Sequence, residues 1–62
     1  MGKKLIQAFE IAKQEKGIQA QFRLAIRCGM SLVKAEEVPD DETYVANMKL
    51  ALEQIIGKKV EL

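Results

Sequence analysis

Apolar residues recur along this chain in runs with the period of an α-helix, and isolated glycines separate the runs. In Lys3 to Lys16, Leu5, Ala8, Phe9 and Ala12 stack on one face and Ile6 and Ile11 widen the stripe, while Lys4, Gln7, Glu10, Lys13 and Gln14 take the far side. Lys13 and Lys16 sit where the negative end of the helix dipole favours cations, and Gly17 is the expected stop. A second helix is predicted from Ile18 to Cys28, with Ile18, Phe22, Ala25 and Ile26 inward, Gln19, Arg23 and Arg27 outward, and Gly29 closing it.

Ser31 is placed to cap a short third helix over Leu32 to Val38, because its hydroxyl can accept a bond from a backbone N–H two or three residues on. Pro39 bounds that helix, since the residue before a proline is disfavoured in the helical region. Asp40, Asp41 and Glu42 then offer an N-cap and an acidic first turn to a long helix reaching about Ile56. Its inward side is Val45, Met48, Leu52 and Ile55, with Tyr44, Ala51 and Ile56 beside them, and Gly57 with Lys58 and Lys59 stops it. The pattern predicts an all-α fold: three main helices plus a short corner helix, packed as a small orthogonal or bundle-like domain over residues 1–62. No periodic run reaches three heptads, which excludes a long coiled coil.

Length changes the picture most. A chain of 62 residues buries only about 60% of the surface its unfolded form exposes, so it needs reinforcement. One cysteine and no histidine exclude an internal disulfide and leave no zinc site, so self-association is the remaining route. Leu50 lies opposite the inward side of the last helix, Leu32 and Val33 stand at the corner, and Val60 and Leu62 extend apolar character into the tail. These five are the candidate interface, with pairing through the last helix and a tail that docks on a neighbour.

Charge and chemistry narrow the function by exclusion. Ten Lys and Arg against nine Asp and Glu give a net charge of +1, so no global field draws the chain to nucleic acid or an anionic membrane. No apolar run approaches the roughly 18 residues that span a bilayer, and the opening segment lacks the apolar core of a secretory signal, which makes the expected location cytoplasmic. No cofactor or metal is expected: the four glycines are isolated, and the carboxylates around Pro39 lack the alternating spacing of a calcium loop. Cys28 has no histidine to hold it as a thiolate, and core packing is its expected role. The segment LAIRC resembles the helix bearing the CxxC of carboxymuconolactone decarboxylase and alkylhydroperoxidase-D-like proteins. Met30 and Ser31 stand where the second cysteine would follow, so that redox chemistry is not implied.

Gln21 to Asp40 resembles the helix-turn-helix of repressor-type regulators. Gly29 fits the turn, and Leu24, Ala25, Met30, Ala35 and Val38 fit the packed positions. The resemblance implies a recognition helix presenting Ser31, Leu32, Val33, Glu36 and Glu37, a set that offers phosphate two carboxylates and offers bases no Arg, Asn or Gln. The sequence therefore leads to a small non-enzymatic interaction or assembly module, partnered by itself as a homodimer or by another protein. The alternative is a helix-turn-helix DNA-binding regulator contacting DNA through Arg23, Arg27, Ser31 and Lys34. A weaker alternative is a redox-responsive dimer linked through Cys28.

Overall fold

The computed structural model describes residues 2–62, which form four helices: α1 (Lys3–Lys16), α2 (Ile18–Cys28), α3 (Leu32–Glu37) and α4 (Glu42–Ile56). Helices α1, α2 and α4 all pack on one another, and α3 lies at a corner against α1. This is the three-helix unit with a corner helix that the periodicity predicts.

The joints are short and each has a local cause. Gly17 both ends α1 and begins α2: its N–H donates to the Lys13 carbonyl at 2.8 Å and its carbonyl accepts from Ala20 N–H at 3.1 Å. At the far end of α2, Gly29 adopts the left-handed conformation (φ 62°). Gly29 N–H then reaches the Ile26 carbonyl at 3.3 Å and Met30 N–H the Ala25 carbonyl at 3.1 Å, the paired bonds of a Schellman turn. Met30 is buried by this turn. The Ser31 hydroxyl accepts from Lys34 N–H at 3.1 Å to cap α3, and Val38 is extended before Pro39. Asp41 caps α4 by accepting from Thr43 N–H at 2.8 Å and Tyr44 N–H at 3.4 Å.

The core takes Leu5, Ala8, Phe9 and Ala12 from α1, the stripe read from the sequence, with Met48, Ala51, Leu52 and Ile56 from α4 and Ala35 from α3. Five of its twelve members are alanine, which lets helix axes approach closely but buries little apolar area per residue. The Cα radius of gyration is 10.0 Å, close to the roughly 10.6 Å of a well-packed chain of this length. Surface left exposed is therefore not the product of loose packing.

Helix α2 overturns its expected orientation. Ala20 and Leu24 are buried, whereas Ile18, Phe22 and Ile26 are 55%, 66% and 79% exposed and Ala25 is half-buried. The reason is that α2 carries two apolar stripes of the same four-residue spacing, Ile18–Phe22–Ile26 and Ala20–Leu24–Cys28. An offset of two residues puts them about 200° apart around the helix. The smaller stripe faces inward. The tail also departs from expectation: Val60 and Leu62 pack on this chain's own core, and Val60 N–H donates to Glu53 Oε2 at 3.1 Å. Lys58 joins Glu15 at 2.7 Å, tying the tail to the end of α1.

Candidate functional site

The outer side of α2 presents Ile18, Phe22 and Ile26 one turn apart, and Leu32, 37% exposed, continues the apolar surface across the Gly29 turn. Scattered exposed apolar side chains are ordinary, whereas these large ones are aligned on a single helix face.

The two flanks of this row differ. On one side Phe22 borders a cleft of about 140 Å³ walled by Phe9, Gln21, Ala25, Ser31 and Leu32. Its two polar members are already engaged, because Gln21 Nε2 donates to the Phe9 carbonyl at 3.1 Å and the Ser31 hydroxyl caps α3. The cleft is thus apolar in what it offers a visitor. On the other side, Arg23 and Arg27 share a groove of about 270 Å³ with Ile26, Gln54 and Ile55. Arg23 also lines an adjoining one with Lys16 and Gln19. Arg27 Nη1 donates to Gln54 Oε1 at 2.7 Å, which anchors that guanidinium on α4.

The five residues expected at an interface do not line one common depression. Leu32 belongs to the α2 cleft, and Val33 is 63% exposed on α3. Leu50, 58% exposed, borders a depression with Cys28 and Asn47, while Leu62 lies beside Lys4, Val45 and Lys49. The residues offered as DNA contacts are divided too: Arg23 and Arg27 lie on one flank of α2 and Ser31 on the other, with its hydroxyl engaged in a cap. Lys34 is exposed on α3, a helix of six residues packed on α1. What the sequence missed is the outward row Ile18, Phe22 and Ile26; the signal for it was the second, smaller stripe on the same helix.

Cys28 is half-buried, its Sγ 4.0 Å from the Asn47 carbonyl. Burial pushes its pKa above the ordinary thiol value, and the nearby Arg27 charge only partly opposes this. A protonated thiol is a poor nucleophile. Among the described residues no group of three or more His, Cys, Asp or Glu side chains could hold a metal ion, and no helix is long and apolar enough to cross a membrane. Compared with known proteins, the chain matches no family model, no curated protein and no solved structure.

Proposed function

We propose that this chain is a non-enzymatic docking module whose binding face is the outer side of α2. The observation that carries the reading is that Ile18, Phe22 and Ile26 stay in water on a helix whose opposite face is already packed in the core. Covering such side chains contributes up to about 1.5–3 kcal/mol each, which is enough to favour a partner without any catalytic group. Pairing of two copies, expected from chain length, has its best surface here too: α4 leaves only Tyr44 and Leu50 as exposed large apolar residues.

The test is site-specific photo-crosslinking in the source cell. A photoreactive benzophenone residue replaces Phe22 in one variant and the exposed Lys49 in a control. The expected result is a discrete adduct from position 22 and none from position 49, with the adduct mass separating a second copy from another protein. Equal or absent adducts at both positions would overturn the reading.

A further inference from the structure

We propose that the occupant of the α2 face is an acidic amphipathic helix of another protein, with apolar anchors along one stripe and carboxylates along a single edge. This rests on the docking reading and names the partner's chemistry.

Two observations carry it. First, Lys16, Arg23 and Arg27 run beside the apolar row on one flank only. Helix α2 contains no Asp or Glu. Among the described residues the one ion pair is Lys58 with Glu15, so none of these three cations is neutralised within the chain. A spacing of four residues keeps Arg23 and Arg27 on one edge of α2, and Lys16, the last residue of α1, joins that edge by lining a groove with Arg23. Second, the opposite flank is the uncharged cleft beside Phe22. Its volume is near that of an engineered apolar cavity of about 150 Å³ that accepts benzene, a size suited to one aliphatic or aromatic anchor. An anchor on one side and carboxylates on the other define a helix in a fixed rotational setting.

The two rival occupants fit less well. A bilayer surface favours cations on both sides of an apolar stripe and has no knob for a cleft. A second copy paired through the same face brings no carboxylate from its own α2. A two-fold axis that packs two α2 helices antiparallel brings like flanks together, so Arg23 and Arg27 would meet their own copies. Helix α2, about 16 Å long, also offers a strip more suited to one helix than to the roughly 800 Å² per partner of a stable folded pair.

The experiment titrates the full chain at low salt against two labelled helical peptides. Both carry leucines at alternating three- and four-residue spacing; one has glutamates beside the leucines and its twin has lysines. Anionic phosphatidylglycerol vesicles form a second arm and sedimentation equilibrium of the chain alone a third. The expected result is preference for the glutamate peptide by about tenfold or more, shrinking as salt rises. Arg23→Glu should remove or reverse that preference, and Phe22→Glu should abolish binding of both peptides. Ile26→Gln provides a second apolar-face variant, and circular dichroism confirms that each variant is folded. Equal binding of the two peptides would overturn the acidic partner while leaving the docking face in place. Vesicle binding without peptide preference, a dimer that buries Phe22, or no binding of the glutamate peptide would each overturn the proposal.

Discussion

The backbone N–H of Lys4 donates to both carboxylate oxygens of Asp40, at 3.1 Å each, across 36 residues of sequence. The first N–H groups of a helix have no partner inside it, and the residue at the α1 N-cap, Gly2, has no side chain to supply one. Asp40 does so from the α3–α4 connection, while its neighbour Asp41 caps α4. Two adjacent carboxylates thus close two different helices, and the acidic corner joins them.

Asp40→Ala should lower stability by about 1 kcal/mol, the usual worth of a capping side chain. In a domain of this size that is a fall of about 4–8 °C in Tm, read by thermal circular dichroism. Asp40→Asn keeps an acceptor and should lose less. An Asp40→Ala variant that melts with the parent would mean the contact is idle.

Gly2 should tolerate no side chain. It is buried, its N–H donates to the Ala35 carbonyl at 3.2 Å, and a Cβ there would stand 2.6 Å from that oxygen and 2.9 Å from the Val38 carbonyl. Both obstacles are backbone, so α1 must lift off α3. Gly2→Ala is expected to destabilise by about 1–3 kcal/mol, the usual range for overpacking. Combined with Asp40→Ala it should fall short of additivity, because both changes loosen the same seam. Urea titration of the single and double variants measures this.

The two faces of α2 should respond oppositely to truncation. Leu24→Ala removes a fully buried side chain and should cost about 2–5 kcal/mol. Phe22→Ala and Ile26→Ala alter exposed residues and should stay within about 0.5 kcal/mol of the parent. Were Phe22→Ala the costly one in chemical denaturation, the helix would be turned the other way.

Alkylation of Cys28 should be slow at neutral pH and accelerate only on the alkaline side of an ordinary thiol, because burial raises its pKa. The same shift sets a sign for stability. Above the ordinary thiol pKa the unfolded chain loses its proton first while the folded chain keeps it, so ionisation favours unfolding. Stability is complete below that pH and declines as pH rises through the raised folded value. Iodoacetamide kinetics and denaturation midpoints across the alkaline range check both statements, and Cys28→Ala should flatten the second.

Much of this architecture could be read from residue order alone, because its determinants are local. The α1 stripe of Leu5, Ala8, Phe9 and Ala12, the glycine stops, the Ser31 cap and the break at Pro39 each depend on neighbours within about one helical turn. Which side of α2 turns inward was not local. Ile18–Phe22–Ile26 and Ala20–Leu24–Cys28 have equal claims by spacing, and the greasier stripe lost. That choice belongs to the assembled α1, α2 and α4, where alanine-rich surfaces come close enough to seal around Leu24. The Asp40 cap on α1 and the Gly2 contact with α3 likewise join residues far apart in sequence, and no periodicity carries a signal for them. Residue order therefore determined the helices and their ends. Only tertiary packing decided which apolar side chains were left in water, and with them the face available to a partner.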